Sequence, residues 1–211
     1  YDEQKLSIRK LDRWGHIVTC DHIISGDADM QGMNGEPDAL TAKYLYTKCK
    51  MIYPTKDKRA ERTMGALTDF QGARTIEIIS SDNSGEINKA VMRLGIPRER
   101  SVPNIPKNSA NIERVNRDIL DGTRTALVSA GLPGCFWPFA GPTYCHNDNI
   151  DVDKKGYSQW SATHGKDFPG ARIPFGAEVV YYPCDGRDKR KKWDARGQPG
   201  VFCGPLAGTW R

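Results

Sequence analysis

The chain has 211 residues, 38% of them hydrophobic and 27% charged, with a formal net charge of +5 at neutral pH. This length allows one well-buried domain with a small appendage and is too short for two full-sized enzymatic domains. The composition excludes a disordered chain, and no apolar run approaches the roughly 20 residues of a membrane span. The chain opens without an initiator Met or an apolar signal stretch, so we expect a piece of a longer polypeptide.

Positive charge is concentrated towards the C-terminus. Residues 1–150 carry 20 Lys and Arg against 19 Asp and Glu, whereas residues 151–211 carry 11 against 7. The excess centres on a basic run that is either a docking site for a polyanion or a solvated loop, and that includes Lys189, Arg190, Lys191 and Lys192.

The six cysteines show no CxxC and no short paired spacing. This pattern argues against a zinc finger and against a secreted disulfide scaffold, so we expect reduced, buried thiols. Cys20, Asp21 and His22 are adjacent, but neighbouring residues of a strand point to opposite faces, which argues against a transition-metal site there.

The first predicted strand, residues 14–24, is β-branched and apolar around one acidic residue, Asp21. A carboxylate in such a strand costs several kcal/mol unless it is paired or binds a cation, so Asp21 needs a partner. A loop is predicted over 25–39. Beyond it, segments 42–47 and 49–55 alternate apolar and polar residues and predict a hairpin.

Helix and strand patterns alternate through the middle of the chain. Helical spacing predicts a helix over 58–72, and residues 75–80 form a second buried-strand candidate that ends near Asp82. The next helix is predicted over 84–94, with Ser84 as N-cap and Gly95 as terminator.

Residues 101–108 are predicted to be extended because Pro103 and Pro106 are unsuited to a helix interior. The longest helix is then predicted from Ser109 to Ala130, and a further helix from about Phe136. This order of elements fits an α/β fold, a mixed sheet flanked by helices. We predict a core over 1–150, a flexible linker over 151–172, and a small basic β module over 173–211.

Three acidic residues occupy positions that allow them to meet. Asp21 lies on the first strand, Asp82 at the end of a later strand, and Glu113 near the start of the long helix. Ligands of α/β sheets gather at the carboxyl ends of strands. Carboxylates there would suit phosphodiester chemistry, in which two divalent ions about 4 Å apart activate the nucleophile and stabilise the leaving oxygen. Mg²⁺ prefers such hard oxygen ligands.

Three motifs strengthen this interpretation. They are Val18-Thr19-Cys20-Asp21-His22, Ser81-Asp82-Asn83-Ser84-Gly85-Glu86, and Pro103-Asn104-Ile105-Pro106-Lys107-Asn108 running into Ile112-Glu113-Arg114-Val115-Asn116-Arg117. In this order they resemble the acidic motifs of the retroviral and Ty1/copia-type integrase core, and the similarity covers about residues 14–150. In the tail, Ile173-Pro174-Phe175-Gly176, Lys192-Trp193-Asp194 and Gly200-Val201-Phe202-Cys203-Gly204 resemble the piece that follows the core in copia-type polyproteins.

The resemblance implies an RNase H-like fold in which Asp21, Asp82 and Glu113 hold two Mg²⁺ or Mn²⁺ ions. Two departures from the family stand out. The interval between Asp82 and Glu113, positions 83–112, is shorter than is characteristic, and Asn108-Ser109 replaces the usual Asn-Gly. Candidate DNA-binding residues are Asn108, Arg114, Asn116, Arg117, Lys189, Arg190, Lys191 and Lys192. Alternatively, Glu113 pairs with Arg117 one helical turn on, and Arg114, Asn116 and Arg117 are simply solvated.

The implied function is DNA integration by a polynucleotidyl transferase that processes the 3′ ends of an element's DNA and joins them to target DNA. Two alternatives remain open: an RNase H-like nuclease without a joining step, and a decayed or co-opted core that only binds nucleic acid. The expected partners are DNA, further copies of the chain, and upstream and downstream polyprotein segments, with no membrane. The expected location is the nucleus when the protein acts on chromosomal DNA, and otherwise intracellular.

Overall fold

The computed structural model describes residues 16–24, 26, 28–82, 84–100, 106–182, 193 and 195–205, with the backbone alone for residues 28, 100 and 106–110. Five strands form one sheet in the order β3-β2-β1-β4-β5. Its strands are β1 (Ile17–Ile24), β2 (Asp38–Tyr44), β3 (Lys50–Thr55), β4 (Ile78–Ser81) and β5 (Arg98–Arg100). The pairs β1–β2 and β2–β3 are antiparallel, whereas β1–β4 and β4–β5 are parallel. The mixed sheet and the pairing of the two hairpin strands are therefore confirmed, but the first of them lies at 38–44 rather than 42–47 and begins within the predicted loop.

Helices cover both faces of the sheet. They are α1 (Ala60–Gln71), α2 (Gly85–Leu94), α3 (Pro106–Ala130) and α4 (Trp137–Ile150). On one face, Val18 and Cys20 of β1 pack with residues of α1 and α2, including Leu67 and Ile87. On the other face, residues of β2 and β3 pack with α3 and α4 through Ile112, Val115, Ile119 and Cys145. Among the described residues, none of the helices is both long and apolar enough to cross a bilayer.

Helix α2 has the predicted boundaries. The Ser84 hydroxyl accepts a hydrogen bond from the Ile87 amide, and Gly95 ends the helix in the left-handed conformation with φ 67°. Glu86 lies in the first turn, where Ser84 contacts its carboxylate at 3.0 Å. This position agrees with a capping role, because a carboxylate there favours the helix dipole.

Helix α3 begins earlier than predicted. It starts at Pro106, so the predicted extended conformation is wrong for residues 106–108, and residues 101–105 lie outside the described part of the chain. The physical reason is that proline is unfavourable inside a helix but is well suited to its first position, where no amide donor is required.

The segment predicted as a linker contains a packed helix. Helix α5 (Gln159–His164) begins at a capping box formed by Ser158 and Ser161. Trp160 is buried, its ring stacks on His164 at 3.8 Å between centroids, and Arg74 hydrogen-bonds the Thr163 carbonyl. Residues 151–172 therefore pack on the core over part of their length, which sequence periodicity did not indicate.

The tail forms a two-stranded antiparallel sheet of β6 (Glu178–Tyr181) and β7 (Gln198–Val201). Beside the hairpin, Phe175 is buried against Leu127 and Ala140. Gly176 has φ 80° and lies so close to Ala130 that a Cβ atom would be 2.2 Å from the Ala130 Cβ. Only glycine fits this approach of the tail to the end of α3.

Candidate active site

Asp21 faces α3 from the centre of the sheet. Its Oδ2 accepts a hydrogen bond from Asn116 Nδ2 at 2.9 Å, and its Oδ1 accepts one from the His22 amide at 2.8 Å. The His22 side chain instead contacts Thr63 of α1 at 3.2 Å. The two neighbours therefore point to opposite faces, as a strand requires.

A third residue fixes the amide that holds Asp21. Thr41 lies opposite Asp21 in the antiparallel register of β1 and β2. Its hydroxyl donates to Asn116 Oδ1 at 2.6 Å and lies 3.2 Å from the backbone carbonyl of Asp21. Because Asn116 Oδ1 accepts from Thr41, its Nδ2 hydrogens point to the carboxylate. The three side chains form a connected polar network at the interface of sheet and helix.

Asp82 follows the last residue of β4 and is exposed. Its Oδ1 accepts a hydrogen bond from the Ser84 amide at 3.1 Å. The residue before it, Ser81, is buried and accepts a hydrogen bond from Arg98 Nε at 3.1 Å through its hydroxyl. The guanidinium of Arg98 also donates to the Asp82 carbonyl. Asp82 is thus held by β5 through its backbone carbonyl and by the N-cap of α2 through its carboxylate.

Glu113 is exposed on α3, three residues before Asn116. Residues three apart share a helix face, so Glu113 and Asn116 project to the same side of α3. Within the part of the chain that the structure describes, Glu113 and Arg117 form no ion pair.

Electrostatics link the three carboxylates. The pKa of Asp21 is raised above its ordinary value, first by burial and then by the negative charges of Asp82 and Glu113, while hydrogen bonds from His22 and Asn116 oppose the shift. Burial and like charges both disfavour the ionised carboxylate. Asp82 and Glu113 therefore both lie close enough to Asp21 to disfavour its ionised form.

The carboxylates do not form a closed ligand set. Among the described residues, no group of three His, Cys, Asp or Glu side chains is placed to hold a metal ion. The donor chemistry nevertheless fits Mg²⁺ or Mn²⁺, because the side chains are hard oxygen donors and their mutual repulsion would be relieved by a cation. Cys20 is buried among apolar residues, and burial chiefly raises its thiol pKa to about 12. It is therefore unsuited to bind metal as a thiolate.

The predicted DNA-binding residues do not share one environment in the structure. Arg114 and Arg117 are exposed on α3, whereas Asn116 is half-buried and its amide is engaged by Thr41 and Asp21. Asn108 lies in α3, where only its backbone is described. The remaining candidates, Lys189, Arg190, Lys191 and Lys192, and also Asn83, lie outside the described residues.

Sequence reasoning missed Thr41, Ser81 and Arg98. Their contacts join neighbouring strands, Thr41 on β2 beside β1 and Arg98 on β5 beside Ser81 of β4, so they depend on strand register, which motifs do not contain. Thr41 lies just before the predicted strand 42–47, whereas β2 begins at Asp38, so Thr41 was assigned no role from the sequence.

The comparison with solved structures shows the fold. The HTLV-2 integrase catalytic core domain, determined in complex with magnesium in a trimeric form, matches with a TM-score of 0.54 at 16% identity, over 72% of this chain and 98% of that one. The protein thus has the RNase H-like fold of an integrase catalytic core, which confirms the predicted fold class.

The sequence relatives are polyproteins of transposons. The chain is 28% identical over 205 residues to the retrovirus-related Pol polyprotein from transposon TNT 1-94 of Nicotiana tabacum, covering 86% of this chain and 14% of that polyprotein. It is 25% identical over 178 residues to the Ty1-LR3 Gag-Pol polyprotein of Saccharomyces cerevisiae, covering 78% of this chain and 10% of that polyprotein. No family model matches. The relatives and the fold together support an integrase core from a Ty1/copia-like element, as the motifs predicted.

Proposed function

We propose that the chain is the catalytic core of a DNA integrase, a metal-dependent polynucleotidyl transferase. The observation that carries this proposal is the environment of Asp21. Its carboxylate is held by Asn116 on an RNase H-like sheet and is under the negative charge of Asp82 and Glu113. Such a site is electrostatically unfavourable when empty and strongly favours a divalent cation.

The roles of the residues follow from their positions. Asp21, Asp82 and Glu113 would hold two Mg²⁺ or Mn²⁺ ions, which supply charge neutralisation at the scissile phosphate and activation of the nucleophile. Asn116 and Thr41 keep the Asp21 carboxylate directed towards the α3 side of the sheet. Glu113 lies on α3, which packs on β2 and β3, so the proposed ligands come from a sheet and a helix that are packed together.

The proposed reaction has two steps at one site. In the first, a water oxygen attacks phosphorus near the end of the element's DNA and displaces the 3′ oxygen, which leaves as a hydroxyl. In the second, that hydroxyl attacks a phosphodiester of target DNA, forms the new bond and displaces the target 3′ oxygen. The exposed Arg114 and Arg117 on α3 are proposed to contact DNA phosphates, together with the basic run Lys189, Arg190, Lys191 and Lys192.

The relatives are many times longer than this chain, so the partners of this chain do not follow from theirs. We propose DNA ends and target DNA as substrates, further copies of the chain as assembly partners, and neighbouring polyprotein segments as its context. Action on chromosomal DNA would place the working protein in the nucleus.

The test is Asp82→Asn, which keeps the shape of the side chain and removes its charge. We expect loss of Mg²⁺-dependent strand transfer, with the melting temperature of the metal-free protein unchanged or raised because repulsion on Asp21 is relieved. The matched control is Glu86→Gln, which changes an exposed carboxylate four residues away and should retain joining. If the wild-type protein cleaves DNA but does not join it, the nuclease alternative is favoured. If it binds DNA but Mg²⁺ changes neither its activity nor its melting temperature, a decayed core is favoured.

A further inference from the structure

The Arg98 side chain makes hydrogen bonds in addition to the backbone pairing of β4 and β5. It is the first residue of β5 and lies opposite Ile79 in the parallel register with β4. From there its guanidinium reaches past the end of β4. Nε donates to Ser81 Oγ at 3.1 Å, and Nη2 lies 3.5 Å from the Ser81 carbonyl and also donates to the Asp82 carbonyl.

These contacts hold the backbone where strand pairing has ended. Strand β4 ends at Ser81, so the Asp82 carbonyl lies beyond the residues of the β4–β5 ladder. The Ser81 hydroxyl lies 3.2 Å from the same carbonyl, which therefore faces two donors, one of them charged. Hydrogen bonds with an ionised donor are roughly twice as strong as neutral ones.

The other side of Asp82 is also held. Its Oδ1 accepts from the Ser84 amide, and Ser84 caps α2. Asp82 thus accepts hydrogen bonds from β5 through its carbonyl and from the start of α2 through its carboxylate. By contrast, the carboxylate of Asp21 is held from α3 by Asn116, so the two acidic residues are supported by separate elements.

We propose that Arg98 is a positioning residue for Asp82: it fixes the backbone that carries the carboxylate, so that Asp82 faces Asp21 before a cation binds. This inference rests on the proposed function. The fork of Arg98 suits the task because its planar donors reach the Ser81 hydroxyl and the Asp82 carbonyl together, which a lysine ammonium does not reproduce.

The test compares Arg98→Gln and Arg98→Lys with wild type. The first readout is hydrogen exchange at the Ser84 amide in the metal-free protein, which we expect to be faster by on the order of tenfold, as for loss of one charge-assisted hydrogen bond. The second is the Mg²⁺ concentration that half-saturates the rise in melting temperature. Loss of an outer partner of a metal ligand typically weakens metal affinity about 10- to 100-fold, so this concentration should rise by at least that lower factor.

Arg93→Gln is the matched control. Arg93 is an exposed arginine of α2 that pairs with Glu61, so this variant makes the same charge change away from Asp82 and should leave both readouts at wild-type values. Arg98→Lys should lie between wild type and Arg98→Gln. The proposal is overturned if Arg98→Gln keeps the wild-type Ser84 exchange and Mg²⁺ dependence, or if Arg98→Lys matches wild type in both. The exchange readout needs no activity, so it tests Arg98 even if Asp82→Asn shows that the proposed function is wrong.

Discussion

Strand β2 is buried along most of its length and β1 along its first half, whereas β6 and β7 of the tail are mostly exposed. The core strands pack helices on both faces, and that burial places Asp21 next to α3. Within the described part of the chain, most residues of the tail hairpin are exposed instead. The hairpin is attached by the residues beside it, because Phe175 is buried on α3 and α4 and the Thr143 hydroxyl lies 3.2 Å from the Cys203 carbonyl. We infer that packing between sheet and helices stabilises the core, whereas contacts of Phe175 and Cys203 with the core hold the tail in place.

The largest expected effect breaks that attachment. Phe175→Ala removes the main buried anchor of the tail, and such substitutions cost about 3 kcal/mol. We expect trypsin to cleave after the exposed Arg196 roughly a hundredfold faster, since 1.4 kcal/mol corresponds to a factor of ten. Val180→Ala, at an exposed hairpin position, should cleave as wild type does. If Phe175→Ala instead lowers the urea midpoint of the whole core, the tail and the core are one cooperative unit.

A smaller effect tests the core. Lys50 of β3 is buried and pairs with Asp118 of α3 and with Asp148 of α4, the latter at 3.0 Å. Burial lowers the pKa of Lys50, but the two carboxylates outweigh burial and raise it above its ordinary value. Lys50→Met should lower the free energy of unfolding by about 2 kcal/mol, below the usual loss for a buried pair because the aspartates are partly exposed. Urea denaturation measures this loss. Lys89→Met, an exposed-site control, should change the free energy of unfolding little. An equal loss in the two variants would contradict a stabilising role for the ion pairs of Lys50.

The smallest effect concerns the charge of Asp21. Its folded-state pKa is raised, so the ionised carboxylate destabilises the metal-free fold, and this penalty develops as the pH rises from the unfolded pKa of about 3.9 through the folded value. Asp21→Asn should therefore melt higher than wild type at pH 7 and equally at pH values below about 3. Melting curves across this range check the sign. A difference that grows towards acid would mean that the carboxylate stabilises the fold.

Much of the core could be predicted because its signals are local. Ser84 and Gly95 mark the ends of α2 by capping chemistry, and Asp21 stands out as a charge within an apolar strand. The linker prediction missed α5 because this helix has six residues, too few to show helical periodicity. The start of α3 was misplaced because Pro106 was judged as an interior residue rather than a first one.

The support of the carboxylates could not be predicted, because it depends on contacts between distant residues. Asn116 reaches Asp21 across 95 positions, and its orientation depends on Thr41 of the adjacent strand. The motif contained Asn116, but no local pattern distinguishes an amide that contacts DNA from one that holds a carboxylate. Strand register supplies that distinction.

The central claim is that Asp21, Asp82 and Glu113 act together on divalent metal, and Glu113→Gln tests it most directly. Glu113 is exposed on a helix, so the change should leave folding intact while removing one ligand. The measurement is joining of an element-end oligonucleotide to target DNA over a Mg²⁺ titration, with the Mg²⁺-induced rise in melting temperature followed in parallel. We expect joining to be lost and the Mg²⁺-induced rise in melting temperature to be weakened. Wild-type joining in Mg²⁺ would contradict the central claim and would make Glu86 the next candidate for the third ligand.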